Sequence, residues 1–185
     1  MIFFDRELAP EMEVPFLPRH PYVMRFLDAG ELDLLRPHVS EAKFRMYSGR
    51  LERGMKVSAC LTADETEVLG WCWTTGDAFY EPYDNATYVK VDGSFFHFDG
   101  EVVSEKRGRG IAFTAFPLIW PHWRARGYRQ AHCTVDMANK PSMKLHERLG
   151  YTPREQFVVR TLLGFKWTRP AGPRLRPGNQ ETRVR

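Results

Sequence analysis

Apolar positions in this chain follow two rhythms. Lys56-Val-Ser-Ala-Cys-Leu-Thr62 and Thr66-Glu-Val-Leu-Gly-Trp-Cys-Trp-Thr-Thr75 are short apolar runs joined by the polar turn Ala63-Asp-Glu-Thr66. Runs of that kind, bounded by turn residues, predict an antiparallel pair of strands. A period of two puts Trp71 and Trp73 on one face. Residues 86–91 and 94–103 predict two more strands around the turn Asp92-Gly93, and 130–136 another. Residues 151–163 predict one or two closing strands.

The helical rhythm is sparser. Asp28-Ala-Gly-Glu31 predicts a helix start, with Leu32, Leu34 and Leu35 following. Ser40 is the expected N-cap of a second helix, Glu41 favours its first turn, and Gly54 ends it. Residues 110–126 predict an apolar helix, but Pro117 and Pro121 lie inside it. An interior proline removes a hydrogen bond and clashes with the preceding turn, at about 3 kcal/mol. A kink or restart is therefore expected, with Pro117 in a first turn. Residues 142–149 predict a last helix, opened by Pro141 and closed by Gly150. Pro10, Pro15, Pro18 and Pro21 make residues 1–22 an extended arm or edge covering, pinned by Phe16 and Tyr22. Residues 76–85 read as a loop.

One stretch carries the chemistry. Glu105-Lys-Arg-Gly-Arg-Gly-Ile-Ala112 follows a strand and opens a helix. Gly108 and Gly110 let the backbone turn tightly and approach a ligand. Backbone N–H groups and the positive end of the helix then share one space. Lys106, Arg107 and Arg109 add charge. The combination suits a diphosphate.

Arg107-Gly-Arg-Gly110-Ile-Ala112 resembles the pyrophosphate loop of the Gcn5-related N-acetyltransferase (GNAT) superfamily, Q/R-x-x-G-x-G/A. Asn139-Lys-Pro-Ser-Met-Lys-Leu-His-Glu-Arg-Leu-Gly-Tyr151 resembles the same family's N-x-x-S/A-x-x-L-Y-E-K-L-G-F. The two motifs stand in the family's order and together cover residues 95 to 165. The resemblance implies an α/β (α+β) fold: a mixed, mostly antiparallel central sheet flanked by helices, splayed between strands 4 and 5. It implies an arm at 1–22, a GNAT domain at 23–166 and a basic Pro/Gly-rich tail at 167–185, expected to be disordered.

By the same resemblance, acetyl-CoA is the co-substrate and an amine of a small molecule or peptide attacks its thioester directly. Coenzyme A would be held by Arg107, Gly108, Arg109, Gly110, Ile111 and Ala112, by Asn139 and Ser142, and by backbone at Val102 or Val103, whose N–H is the expected oxyanion donor. The pantetheine arm would pair as a strand in the splay. Where the family motif has tyrosine as leaving-group acid, this chain has His146. Histidine donates a proton only when protonated or in the right tautomer. Tyr151 is read as packing. For the base, Asp99 and Glu101 share a strand face by alternation, together with His97. Glu101 is preferred to Asp99, and His132 is a further candidate. Phe44, Met46 and Tyr47 are candidates for the acceptor wall, and Tyr80, Glu81, Tyr83 and Asp84 for reading the acceptor. The alternatives are a GNAT-like module that holds acyl-CoA without turnover, and a long-chain N-acyltransferase.

Composition narrows the picture. The 185 residues are 43% hydrophobic, enough for one domain with a substantial core. The net charge of +4 suggests nucleic acid until its position is considered. From Trp167 onward there are five arginines against Glu181 alone, and the rest balances at 22 basic and 22 acidic residues. The basicity belongs to the tail, so neither nucleic acid nor membrane is the expected partner. Cys60, Cys72 and Cys133 form no C-x-x-C pattern, so reduced buried thiols are expected and no metal. No apolar run of 18 residues occurs, and the early acids lack a signal-peptide layout, so a cytoplasmic protein is expected. A homodimer through edge strands is what the family resemblance adds.

Overall fold

The computed structural model describes residues 1–8, 22–83, 85–162 and 165–171. Its elements in chain order are β1 (Ile2–Glu7), β2 (Val23–Phe26), a 3-10 segment (Ala29–His38), α1 (Glu41–Glu52), β3 (Lys56–Leu61), β4 (Val68–Thr75), β5 (Phe79–Glu81), β6 (Ala86–Tyr88), β7 (Ser94–Val102), a 3-10 turn (Ser104–Lys106), α2 (Ile111–Arg124), β8 (Gln130–Val135), α3 (Lys140–Arg148), β9 (Thr152–Leu162) and β10 (Phe165–Pro170). These group into two compact units. One holds the described residues of Met1–Ala9, Gly76–Phe96 and Tyr128–Arg185, the other those of Pro10–Thr75 and His97–Gly127. Apart from β5 and β6, which pair with each other, the strands form a mixed sheet in which, among the described residues, β7 and β8 are the one parallel pair.

In the first unit the strand order is β10-β9-β1-β8 and then the start of β7. β1 pairs antiparallel with β8 on one side and β9 on the other. Ile2, Phe3 and Phe4 are all buried, as an interior strand covered on both faces requires. Residues 2–7 are thus an interior strand, where the sequence suggested an edge covering. The strand ends at Glu7, before the first proline can interrupt it. The parallel ladder pairs Ser94–Phe96 with Gln130–His132. Phe79, Tyr88 and Phe96 pack ring against ring, with Phe96 also edge-on to His132 at 5.2 Å. Part of the expected 76–85 loop is the short hairpin β5–β6. Trp167–Pro170, expected in the tail, belong to β10. Residues 9–21, with Phe16 and the first four prolines, and 172–185 lie outside the described residues.

In the second unit β7 is followed by β4, β3 and β2. β3 and β4 pair antiparallel as expected, and Trp71 and Trp73 are both buried. The sequence reading missed β2, a four-residue strand whose side chains are all half-buried and so show no alternation. The Asp28 start opens a 3-10 segment, with the Asp28 N–H donating to Glu31 Oε2 at 3.0 Å. Ser40 caps α1 by accepting from the Lys43 N–H at 3.2 Å, and Gly54 follows its end at φ +79°.

α2 corrects one expectation. It runs without restart from Ile111 to Arg124, so Pro117 is an interior residue. Ile111, Ile119, Trp120 and Trp123 are buried, and the helix packs on β2, β3 and β4. Burial of large apolar side chains contributes roughly 1.5–3 kcal/mol each, which outweighs about 3 kcal/mol per proline. Among the described residues, no helix is long and apolar enough to cross a membrane. All three cysteines are buried and none is in a disulfide.

Candidate active site

The turn after β7 has the geometry its glycines suggest. Gly108 and Gly110 take φ +76° and +78°, and Gly110 is the N-cap of α2. An added Cβ would meet nothing within 4 Å at either position, so glycine is required there by backbone conformation rather than by space. Residues 107–110 are exposed. Among the described residues, no acceptor takes the N–H of Gly108, Arg109 or Gly110. The Phe113 N–H is spent on the Gly110 carbonyl at 2.9 Å. The N–H groups of Gly108, Arg109 and Gly110 are therefore the unspent donors at the positive end of a 14-residue helix, beside the exposed Arg109 side chain. Ile111 is buried, so only its backbone is available there. The charges are less uniform than the sequence implied. Lys106 Nζ pairs with Glu67 at 3.2 Å. Arg107 Nε donates to the Val102 carbonyl at 3.2 Å, tying the loop to the end of β7.

The same strand end separates the two candidate oxyanion donors. The Val103 N–H donates to the Leu69 carbonyl of β4 at 3.0 Å. It is spent, which corrects its expected role. Alternation turns the N–H of Val102 away from β4.

Further back on β7, Asp99 and Glu101 meet α1. Lys43 Nζ lies 3.1 Å from Asp99 Oδ1 and donates to Glu101 Oε1. Arg50 Nη1 donates to Asp99 Oδ2 at 2.5 Å. The Arg50 guanidinium also lies over the rings of Phe98, Tyr47 and Trp73, at 4.8, 5.3 and 5.3 Å. Simple alternation does not produce this arrangement. Asp99 has φ +47°, a left-handed conformation that breaks the strand period, and Phe98 shares the Arg50 side chain with it. His97, expected on that face, is buried at 3% exposure.

The electrostatics distinguish the two acids. Burial pushes the Asp99 pKa up, but the Arg50 charge and then Lys43 outweigh it and hold the carboxyl below its usual value. Burial likewise disfavours the Lys43 ammonium, yet the hydrogen bond to Glu101 and the Asp99 charge raise its pKa overall. Burial and the Asp99 charge raise Tyr47, whose hydroxyl accepts from Trp71 Nε1 at 3.0 Å. Tyr47 and Phe44 are buried, with Arg36 over the Phe44 ring at 3.7 Å, and Met46 is half-buried. The sequence reading missed Lys43 and Arg50. The available signal was their spacing, since Lys43, Tyr47 and Arg50 recur at helical period and put two cations on a buried face.

The first unit holds the remaining candidates. Asn139 caps α3, its Oδ1 accepting from the Ser142 N–H at 3.2 Å. His146 is buried, not a surface residue. Its Nδ1 lies 2.8 Å from the Ser142 carbonyl, which can only accept, so Nδ1 carries the proton. Its ring stacks on Phe4 at 6.0 Å and meets Tyr151 edge-on at 5.3 Å. Burial lowers its pKa. The expected leaving-group acid is thus a neutral ring whose proton is committed to a carbonyl. His132 sits against Phe3 and Phe96, and burial lowers its pKa to about 4. Tyr80 and Tyr83 are exposed, and Tyr83 donates to Asp136 at 3.3 Å. Asp84 lies outside the described residues.

No family model and no curated protein sequence matches the chain. Solved structures do. AAC(6')-Iy, in complex with the bisubstrate analogue CoA-S-monomethyl-acetylneamine, is 15% identical with a TM-score of 0.55, over 71% of this chain and 90% of that one. A ribosomal-protein-alanine N-acetyltransferase from Brucella melitensis is 18% identical with a TM-score of 0.54, over 74% and 88%. A GCN5-related N-acetyltransferase from Sphaerobacter thermophilus is 16% identical with a TM-score of 0.58, over 82% of this chain and 47% of the other. Together with the strand order and the glycine turn before α2, these likenesses establish that the chain has the fold of the Gcn5-related N-acetyltransferases.

Proposed function

We propose that the protein is an acetyl-CoA-dependent N-acetyltransferase acting on an amine of a small molecule or peptide. The observation that carries this reading is the turn from Val102 to Ala112. It joins unspent N–H donors, two left-handed glycines and an exposed arginine at a helix N-terminus. In this reading Arg107, Gly108, Arg109, Gly110, Ile111 and Ala112 hold the pyrophosphate, and Asn139 and Ser142 contact coenzyme A while capping α3. The solved neighbours add support, because AAC(6')-Iy carries a coenzyme A conjugate.

Glu101 is the preferred base. Asp99 has both oxygens engaged and a lowered pKa. Glu101 has Oε1 on Lys43, and Oε2 has no partner among the described residues. Glu101 accepts a proton from the acceptor ammonium, and the neutral amine attacks the thioester carbonyl carbon. Negative charge develops on the carbonyl oxygen, where the Val102 N–H stabilises it. Collapse breaks the C–S bond, the nitrogen gives up its surplus proton to solvent as the amide forms, and the released coenzyme A thiolate takes a proton from solvent.

The committed proton of His146 favours a second reading, a module that binds acyl-CoA without turnover. Release of free thiol from acetyl-CoA with a panel of primary amines separates the two. Thiol release that requires an amine supports the enzyme. Tight acetyl-CoA binding with no release for any amine supports the module. Faster release from longer acyl chains would make the protein a long-chain N-acyltransferase.

A further inference from the structure

We propose that Lys43 is a positioning residue for Glu101: held between two carboxylates, its ammonium engages Glu101 Oε1, fixes the carboxylate in place and leaves Oε2 for the acceptor. The inference rests on the acyltransferase reading for its catalytic consequence, but the coupling stands on geometry. α1 carries Lys43, Tyr47 and Arg50 on one face, and the Ser40 cap on the Lys43 N–H fixes the turn from which the lysine extends. Lys43 Nζ reaches Asp99 Oδ1 at 3.1 Å and Glu101 Oε1, and lies 5.6 Å from the Tyr47 ring centre. Arg50 takes the other Asp99 oxygen at 2.5 Å.

Among these four groups, Glu101 Oε2 is the carboxylate oxygen without a partner among the described residues. The Glu101 side chain is 35% exposed against 15% for Asp99, so Glu101 is also the acid an acceptor can reach. Among the described residues, the ionisable groups around it are Lys43 and Tyr47 from α1 and Asp99 from β7, with Arg50 behind Asp99. β4 contributes Trp71, bonded to Tyr47 and facing His38 at 6.0 Å. Without Lys43, Glu101 would face Asp99 with no cation between them. Like charges repel, so the Glu101 carboxylate would move away from Asp99 and lose the fixed position that Lys43 gives it.

The test measures kcat and KM in wild type, Lys43→Met and Lys43→Arg, with the Glu101 carboxyl carbon signal followed by NMR at one fixed pH, and Lys43→Gln replaces the Met variant if that does not fold. The proposal predicts a kcat about ten-fold lower in Lys43→Met with KM for acetyl-CoA unchanged, a displaced Glu101 carboxyl signal, and recovery of both in Lys43→Arg. An unmoved Glu101 signal or an unchanged kcat in the folded Met or Gln variant would overturn the proposal. A displaced signal in a protein that turns over no amine would support the Lys43–Glu101 coupling and remove the acyltransferase reading instead.

Discussion

The N–H of Val103 donates to the carbonyl oxygen of Leu69 at 3.0 Å, and that bond decides which of two adjacent valines can serve a ligand. Val103 belongs to the sheet, while Val102 points its N–H the other way. Proline substitution reads the difference. Val103 has φ −50°, which a proline ring tolerates, so Val103→Pro loses chiefly one hydrogen bond, about 1 kcal/mol in denaturant unfolding. Val102→Pro removes the proposed oxyanion donor and should lower kcat about 100-fold or more. Equal effects of the two on kcat would contradict the assignment.

Gly110 stands at φ +78° with open space where a Cβ would lie. Gly110→Ala therefore adds backbone strain without a clash, about 1–2 kcal/mol. The loop relieves that strain by changing shape, so acetyl-CoA binding should weaken about ten-fold while the melting temperature changes little. Calorimetric titration beside a thermal melt checks both.

Arg50 is 3% exposed and holds Asp99 from beneath. Arg50→Met leaves Asp99 with Lys43 as its remaining cation. Breaking a buried ion pair by removing one partner costs about 3 kcal/mol, and urea unfolding should show a loss of that order. Arg50→Lys should recover only part of it, because an ammonium cannot bond Asp99 and cover three rings at once.

His132 makes stability depend on pH. Burial lowers its pKa from 6.5 to about 4, and among the described residues its Nδ1 has no hydrogen-bond partner. Between those values the unfolded chain binds a proton that the folded chain refuses. The stability contribution is thus full above pH 6.5 and is lost as pH falls towards 4, by about 3 kcal/mol. His132→Phe should flatten the unfolding free energy across this window. An unchanged slope would remove His132 as its cause.

Local signals made much of this legible in the sequence. Ser40 announced its helix because a cap bonds within three residues, and Pro141 announced the last one because its fixed φ suits a first turn. Gly108 and Gly110 announced the turn because few other residues adopt its conformation. What was hidden depends on distant partners. Ile2–Glu7 is interior because β8 and β9 flank it, and nothing within the segment says so. α2 survives Pro117 because Ile111, Ile119, Trp120 and Trp123 are buried. Lys43 meets Glu101 across 58 residues, so its partner cannot be inferred from neighbouring positions. Alternation placed Asp99 and Glu101 together but missed the break at Asp99, which brings Phe98 rather than His97 under Arg50.

The most direct test of the central claim is calorimetric titration of the protein with acetyl-CoA, repeated with Arg107→Glu and Gly110→Asp combined. The account predicts micromolar binding that the double variant abolishes while remaining folded, since the new carboxylates repel the pyrophosphate where backbone donors should hold it. No binding by the folded wild-type protein, or equal binding by both, would contradict it.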